Sequence, residues 1–218
     1  AGMSAGVALI GTGMWGARLA EAVPRAGLRL VTCNARDADR REAFAARAGC
    51  AAAATLEDAL EHPDVEGVLI ATPNDTHEEI ALAAAERGRH VFVEKPLCLT
   101  LGELAEIRRE QEARPGQLLM VGFNRRFAPH VLRARELLES ARGQKAFIMT
   151  VNAGAVPADH WTQNPQAGGG RIIGEACHFV DLLRCLTGHA IVGHSAVALG
   201  GSSGACAIPD TAILTLEF

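Results

Sequence analysis

Three glycines near the start of the chain constrain its fold more than any other feature. They directly follow an apolar run, in the segment VALIGTGMWG at residues 7–16, as Gly11, Gly13 and Gly16. Gly11 permits a tight turn, Gly13 lets the backbone approach phosphate groups, and Gly16 lets a following helix pack closely on the strand. The segment predicts a strand, a turn that receives a pyrophosphate and a helix. With 23 glycines in the chain, an ordinary glycine-containing loop is the alternative.

Composition narrows the class of protein. The 218 residues are 49% hydrophobic and 21% charged, which is typical of a soluble chain that folds as one large or two small domains. A net charge of -4 without a basic block argues against a nucleic-acid partner. Since no apolar stretch approaches the roughly 20 residues that span a bilayer, we expect a cytoplasmic protein with no membrane partner. The cysteines lack CxxC spacing, so we expect no metal site.

Apolar runs and helical patterns alternate through the first half of the chain, which is the rhythm of a parallel sheet covered by helices on both faces. We predict strands at residues 7–10, 28–33, 65–71, 90–93 and 118–121, with a short strand or connection at 51–54. Three sequences resemble capping boxes, in which a hydroxyl and an acid three residues later satisfy the first N–H groups of a helix. They are Thr55 with Asp58, Thr76 with Glu79, and Thr100 with Glu103.

The end of the second predicted strand bears on the type of dinucleotide. An acid commonly follows this strand and accepts hydrogen bonds from the adenosine ribose, but here the sequence is TCNAR at residues 32–36. Asn34 can bond a ribose hydroxyl without repelling a 2′-phosphate, and Arg36 can pair with such a phosphate. Both NAD and NADP therefore stay open, and so does a simpler interpretation in which Arg36 is only solvated.

Four further motifs stand in order along the chain: ATPNDTH at residues 71–77, EKP at 94–96, GFNRRF at 122–127 and a glycine-rich segment around His178. Together they resemble the glucose-fructose oxidoreductase and inositol dehydrogenase family, Gfo/Idh/MocA. The second half, with PADHW at 157–161 and a longer match at 168–188, is most similar to the oxidoreductase half of bi-domain members.

The resemblance implies an α/β protein with two domains. Residues 1–122 would form a doubly wound parallel Rossmann domain that binds NAD or NADP, and residues 123–218 an incomplete α+β substrate domain with an open, mostly antiparallel sheet. The implied activity is that of a dehydrogenase, which transfers hydride between the nicotinamide cofactor and a secondary alcohol of a sugar, cyclitol or nucleotide-sugar. A catalytically inactive NAD(P)-binding sensor or interaction module is the alternative.

The resemblance also assigns roles in the first domain. Lys95 would lie by the nicotinamide C4 and the substrate carbinol, and Glu94 by the nicotinamide ribose, while Pro96 would follow a cis bond. A surface turn is the alternative for this motif, and a helix-start residue facing water is the alternative for His77. The residues expected to bind the cofactor are Gly11, Thr12, Gly13, Met14, Trp15, Gly16, Asn34, Arg36, Ala71, Thr72, Pro73, Asn74, His77, Glu94, Lys95 and Asn124.

His178 is the expected proton-transfer partner in the second domain, with a structural histidine as the alternative. Many relatives place an aspartate four residues earlier, where this chain has Gly174. Glu175 is a possible catalytic substitute, and Asp181 can orient His178 or serve in packing. We expect substrate contacts from Arg125, His160, Trp161 and Asp181.

The remaining expectations concern the second domain as a whole. Arg126 is a candidate for a structural ion pair, and Trp161 could equally anchor its loop. Relatives continue past residue 218, so residues 211–218 are expected to form a strand with an exposed or intermolecularly paired edge. A homo-oligomer that associates through this sheet is expected, with a polyol or sugar-type small molecule as substrate.

Overall fold

The computed structural model describes residues 4–157, 159–198 and 211–218. Within these residues the chain forms two compact units, and the division between them falls between Gly122 and Phe123. This is where the sequence predicts the first domain to end. No described helix is both long enough and apolar enough to cross a membrane.

A six-stranded sheet forms the centre of the first unit. Every neighbouring pair in it is parallel. Its strands are β1 (Gly6–Ile10), β2 (Arg29–Asn34), β3 (Ala51–Ala52), β4 (Gly67–Ile70), β5 (His90–Val93) and β6 (Leu119–Val121). The connecting helices are α1 (Met14–Ala22), α2 (Ala38–Ala48), α3 (Leu56–Glu61), α4 (His77–Glu86) and α5 (Leu101–Ala113). The predicted doubly wound parallel sheet is confirmed, and its strands agree with the predictions to within two residues at each end.

The strand order is β3-β2-β1-β4-β5-β6, so the order reverses between β1 and β4. Ligands of open α/β sheets bind at the carboxyl ends of the strands beside such a switch point. The glycine turn follows β1 and the ATPNDTH segment follows β4, so both motifs begin at this switch point. The EKP segment follows β5, the next strand in the sheet.

The core of the first unit lies along the central strands. All five residues of β1 are buried, and Leu9, Ile70 and Val93 are fully inaccessible to solvent. Each such side chain contributes about 1.5–3 kcal/mol through its removal from water. This packing keeps the strand ends, and the loops that leave them, in fixed positions.

Two of the three predicted capping boxes are present. Thr55 with Asp58 begins α3, and Thr100 with Glu103 begins α5, with both reciprocal bonds formed in each. The box predicted at Thr76 is wrong. A 3-10 turn, Asn74–Thr76, runs directly into α4. Thr76 Oγ1 instead lies 2.8 Å from the Pro73 carbonyl oxygen and 2.7 Å from Thr72 Oγ1, so the loop before the helix uses this hydroxyl.

The second unit contains two helices and a small sheet. The helices are α6 (Pro129–Ser140) and α7 (Cys177–Thr187), and a π-helical turn, Ile172–Ala176, precedes α7. Strands β7 (Gly193–Ala198) and β8 (Ala212–Glu217) pair antiparallel. Among the described residues these two strands pair only with each other, and most of their side chains are exposed. The described structure therefore contains the sheet edge that the sequence predicts at residues 211–218.

Candidate active site

The glycine turn after β1 has the geometry of a phosphate site. Gly11 has φ +98°, and a Cβ there would lie 2.5 Å from the Ala71 carbonyl oxygen, so only glycine lets the ends of β1 and β4 approach. A Cβ on Gly16 would overlap the Gly11 carbonyl oxygen. A Cβ on Gly13, in contrast, would meet no atom within 4 Å. Two of the three glycines are therefore required by the fold, whereas Gly13 borders open space where a ligand can approach.

The residues around this turn fit a bound phosphate group. Among the described residues no side chain caps the N-terminus of α1, so its first N–H groups and the positive end of the helix dipole are available to an anion. The Oγ1 atom of Thr12 is buried and has no hydrogen-bond partner within the described residues. Since buried hydroxyls are normally bonded, this atom suits a ligand oxygen. Met14 and Trp15 follow with exposed side chains.

At the end of β2, Asn34 and Arg36 have different environments. Asn34 Nδ2 donates to the Ala53 carbonyl oxygen at 3.0 Å, which directs the amide and keeps Oδ1 as an acceptor. Arg36 is exposed, and its guanidinium makes no hydrogen bond or ion pair with the part of the chain that the structure describes. Asp37 accepts from Arg40 N at 2.8 Å as the cap of α2. The end of β2, where dinucleotide-binding domains commonly have an acid, therefore has the amide oxygen of Asn34 and the solvated cation of Arg36 instead.

His77 is the first residue of α4, but its ring does not face water as the alternative interpretation expects. Its side chain is fully buried, with Nδ1 2.7 Å from the Pro96 carbonyl oxygen and Nε2 3.0 Å from the Thr72 carbonyl oxygen. Both ring nitrogens face protein carbonyl oxygens, and the expected contact of His77 with the cofactor stays a prediction. Burial lowers the pKa of His77, while the two carbonyl contacts act in the opposite direction. His77 therefore connects the loops after β4 and β5.

The EKP segment lies directly after β5 and is not a surface turn. Pro96 is buried, Glu94 and Lys95 are half-buried, and the Lys95–Pro96 bond is cis as expected. Burial raises the pKa of Glu94, partly offset by the Lys95 backbone and ammonium group. Sequence reasoning did not single out Gly122 as a site residue. A Cβ there would lie 3.2 Å from Glu94 Oε2, so the small residue leaves room for this carboxylate.

The first unit also contains the remaining residues expected near the nicotinamide. Ala71 continues the sheet ladder, because its N–H donates to the Ile10 carbonyl oxygen at 2.8 Å. Thr72 and Pro73 are half-buried in the loop that follows, and Asn74 is buried. This loop therefore begins at a fixed strand end and is braced by Thr76 and His77.

In the second unit, His178 lies in the first turn of α7. It is 6% exposed, and its ring packs edge-on against Phe123, with centroids 6.2 Å apart and planes at 72°. Gly174, where the family resemblance predicts an aspartate, lies inside the π-helical turn that precedes α7. The imidazole is therefore fixed in orientation by aromatic packing on a helix start.

The carboxylates near His178 pair with arginines. Glu175 Oε1 accepts from Arg125 at 3.1 Å, and the Arg125 guanidinium lies 4.5 Å from the centre of the Phe179 ring. Asp181 accepts from Arg126 through both of its oxygens, which confirms the predicted structural ion pair of Arg126. This pairing favours the packing role of Asp181 over its predicted contact with substrate. Glu175 and Arg125, in turn, form a separate ion pair with each other.

Three further site residues of the second unit are exposed. Asn124 begins a short 3-10 helix, and His160 precedes another at Trp161–Gln163. His160 Nδ1 lies 2.8 Å from Thr162 Oγ1, and Trp161 is 45% exposed. Trp161 thus keeps much of its indole accessible. No group of three His, Cys, Asp or Glu residues is arranged for a metal ion anywhere in the described part of the chain.

Comparison with known proteins identifies relatives along the whole chain. It is 34% identical over 227 residues to inositol 2-dehydrogenase 2 of Saccharopolyspora erythraea, covering 99% of this chain and 63% of that protein. It is 32% identical over 167 residues to scyllo-inositol 2-dehydrogenase (NAD(+)) of Bacillus subtilis, covering 74% and 47% respectively. The chain therefore spans less than two thirds of the length of these relatives.

A solved structure has a similar fold. GenD2 from gentamicin A biosynthesis, crystallised in complex with NAD, superposes with a TM-score of 0.82 at 29% identity, over 100% of this chain and 64% of that one. The family described as "Oxidoreductase family, NAD-binding Rossmann fold" matches residues 5–123, which include the glycine turn and the EKP segment. The chain therefore belongs to the Gfo/Idh/MocA family of oxidoreductases, as its four ordered motifs predict.

Proposed function

We propose that the chain is an NAD(P)-dependent dehydrogenase, which transfers hydride between the nicotinamide cofactor and a secondary alcohol of a polyol. The observation that carries the proposal is the arrangement of one sheet edge. The glycine turn with its open space at Gly13 and the buried turn that carries Lys95 both leave the carboxyl ends of the same parallel sheet. One edge would thus combine a site for phosphate with a cation close to the reacting alcohol.

The residues of the first unit would hold the coenzyme and orient the alcohol. The turn from Gly11 to Gly16 would bind the pyrophosphate, with Thr12 Oγ1 as a further donor, and Asn34 would accept from the ribose. When bound, the nicotinamide supplies a hydride acceptor or donor. The Lys95 ammonium would donate to the alcohol oxygen, which orients the carbinol and stabilises negative charge as its proton leaves.

A proton-transfer partner completes the proposed chemistry. Oxidation of a secondary alcohol removes a hydride from carbon and a proton from oxygen, so a base must receive that proton. We assign this role to His178, since an imidazole can accept a proton and return it in the reverse reaction. Its packing against Phe123 supports the assignment, because a fixed ring is oriented for transfer. Glu175, paired with Arg125, would then position the helix start rather than act as the base.

Among polyols, a cyclitol is the substrate class that we favour. The support comes from the relatives named as inositol 2-dehydrogenases, which match 74–99% of this chain. The exposed Trp161 indole and the neighbouring His160 offer a flat apolar surface and a polar group, which suit a hydroxylated ring. Sugars and nucleotide-sugars fit the same chemistry and belong in the same assay.

Coenzyme binding is the first test. NADH and NADPH are titrated into the chain and followed by energy transfer from tryptophan and by calorimetry. We then measure the reduction of NAD and NADP at 340 nm with myo-inositol, scyllo-inositol and a panel of sugars. The proposal predicts binding of a coenzyme and turnover of a cyclitol. Binding without any turnover would instead support an inactive NAD(P)-binding module, and absence of binding would contradict both.

Replacement of Lys95 tests the assigned chemistry. In Lys95→Ala we expect turnover to fall about 10²-fold or more, while the coenzyme dissociation constant changes by less than about threefold. Lys145→Ala is the matched control, since Lys95 and Lys145 are the only lysines of the sequence and Lys145 is exposed. Turnover in Lys95→Ala equal to that of Lys145→Ala would show that the ammonium is not part of the reaction.

A further inference from the structure

His77 lies where two loops leave neighbouring strands. The sheet ladder continues as far as Ala71, whose N–H donates to Ile10, and Glu94, whose N–H donates to the Ile70 carbonyl oxygen at 2.9 Å. The loops at Thr72 and Pro96 come directly after these bonds. The His77 ring spans them, at 3.0 Å from the Thr72 carbonyl oxygen and 2.7 Å from the Pro96 carbonyl oxygen.

Both loops are therefore tied to the first residues of one helix. Thr76 Oγ1 contacts Thr72 Oγ1 and the Pro73 carbonyl oxygen, and His77 is the next residue of the chain. Helix α4 itself packs on the core through buried residues such as Ile80 and Ala84. The position of the Pro96 carbonyl is thus set by a side chain that is anchored in the core rather than by the loop alone.

Hydrogen bonds from the ring to both carbonyl oxygens would require two N–H groups. A neutral imidazole has one N–H, so it can donate to one of the two carbonyl oxygens, whereas an imidazolium can donate to both. The contact of Nδ1 with the Pro96 carbonyl oxygen, at 2.7 Å, is the shorter of the two. Because the Pro96 nitrogen carries no hydrogen, its carbonyl is the backbone group through which this residue can be held.

We propose that His77 is a positioning residue for Lys95. Its ring fixes the carbonyl of Pro96, and thereby the backbone from which the neighbouring Lys95 side chain extends toward its reaction partner. The inference rests on the proposed function of Lys95. It excludes direct participation of His77 in proton transfer to substrate, because its two nitrogens face protein carbonyl oxygens inside the fully buried ring site.

The scarcity of lysine allows a direct test. Reductive methylation with ¹³C-formaldehyde labels Lys95, Lys145 and the α-amino group and keeps their charge, so the spectrum contains one lysine signal of interest and one lysine signal as internal control. The variants are His77→Phe, which keeps a ring but loses both polar contacts, and His77→Gln, whose amide can reach one carbonyl. Thermal unfolding of each variant is measured in parallel.

In His77→Phe we expect the chemical shift of the Lys95 signal to move while that of Lys145 stays unchanged. With myo-inositol as the probe, the unlabelled variant should lose about tenfold or more in kcat, with the coenzyme dissociation constant within about threefold of the original. His77→Gln should recover part of both effects. If His77→Phe does not fold, His77→Gln carries the test, and we expect a smaller displacement of the same Lys95 signal.

An unchanged Lys95 signal in the folded variants would overturn the inference, and so would equal displacement of the Lys95 and Lys145 signals. A loss of kcat that follows only the loss of thermal stability would overturn it as well. Failure of the proposed function has a different signature, in which the unaltered chain binds no coenzyme and its Lys95 signal does not respond to NADH or NADPH. In that case, a shift of the Lys95 signal in the His77 variants would show that the His77 ring positions Lys95 independently of coenzyme binding.

Discussion

Individual side chains at the sheet edge divide into those that face ligand and those that brace the loops. Asn34 and Arg36 differ most from a typical NAD site, because neither is an acid and the Arg36 guanidinium makes no hydrogen bond or ion pair within the described residues. Asn34 keeps an acceptor for a ribose hydroxyl, and the solvated guanidinium is available to a 2′-phosphate. At the residue scale we therefore predict a preference for NADP, and NAD stays compatible with Asn34.

Replacement of Arg36 tests this preference. In Arg36→Ala we expect NADPH to bind about tenfold more weakly, which corresponds to about 1.4 kcal/mol, while NADH binding stays unchanged. Asn34→Asp is the reciprocal change, and it should weaken NADPH through repulsion and leave NADH equal or tighter. Both are measured by calorimetry at one salt concentration. Equal effects of Arg36→Ala on the two coenzymes would contradict a phosphate contact.

His77 should also affect stability as the pH changes. Burial keeps its pKa below the ordinary value of 6.5, so the unfolded chain takes up this proton at a higher pH than the folded chain does. The corresponding stability is fully present above about pH 6.5 and is lost as the pH falls toward the lowered pKa. Urea unfolding at about pH 7.5 and about pH 5.5 should therefore show a larger loss for the original chain than for His77→Gln. An equal loss in both would contradict a neutral buried ring.

At the scale of the elements, the three glycines of the turn between β1 and α1 have different roles. The sequence pattern predicted all three glycines as part of the turn. It could not show which are required by the fold and which border the ligand space, because that depends on the atoms near each Cα. Gly11 and Gly16 have no room for a side chain, since backbone atoms of the strand ends approach them. Gly13 has open space and an ordinary φ of -71°.

Two alanine variants should separate folding from binding. Gly16→Ala should destabilise the chain by about 2 kcal/mol, because its Cβ overlaps the Gly11 carbonyl oxygen. Gly13→Ala should cost less than about 1 kcal/mol of stability, yet weaken coenzyme binding about tenfold or more, because its Cβ occupies the space by which phosphate approaches. Urea unfolding and coenzyme titration measure the two effects. Unweakened binding in Gly13→Ala would place the phosphates elsewhere.

Elements were predictable where the signal is local. The strands follow from apolar runs, and the caps at Thr55 and Thr100 follow from a hydroxyl and an acid at fixed spacing. Thr76 has the same spacing, but its hydroxyl is taken by Thr72 and Pro73, and no local pattern reveals that competition. The pairing of His77 with Pro96 joins residues 19 positions apart, and it required the sheet order to be known.

At the scale of the whole molecule, the two units differ in how completely they cover their apolar side chains. The first has buried central strands, whereas β7 and β8 expose Val197 at 58% and Ile213 at 55%. These two residues are cross-strand partners on one face of the small sheet. Exposed apolar neighbours on a sheet are a typical association surface. The expected homo-oligomer through this sheet therefore stays a prediction that the exposed face supports.

A single charge on that face tests the association. Light scattering of the chain should give a mass above 22.9 kDa, and Ile213→Glu should return the mass to that of one chain, because two carboxylates would be buried at the contact. His194→Glu, an exposed position on the opposite face of the same sheet, is the control for added charge. A monomeric original chain would contradict association through this sheet.

The π-helical turn before His178 has a consequence for comparison with relatives. A π turn accommodates one more residue than an α turn, so the usual rule that side chains four apart share a face does not apply across residues 172–176. Removal of one residue there would convert the turn into regular α-helix and rotate everything upstream by about 100°. A sequence alignment with no gap across residues 172–176 can therefore predict the wrong residue beside the His178 imidazole, even where the aligned residues are identical.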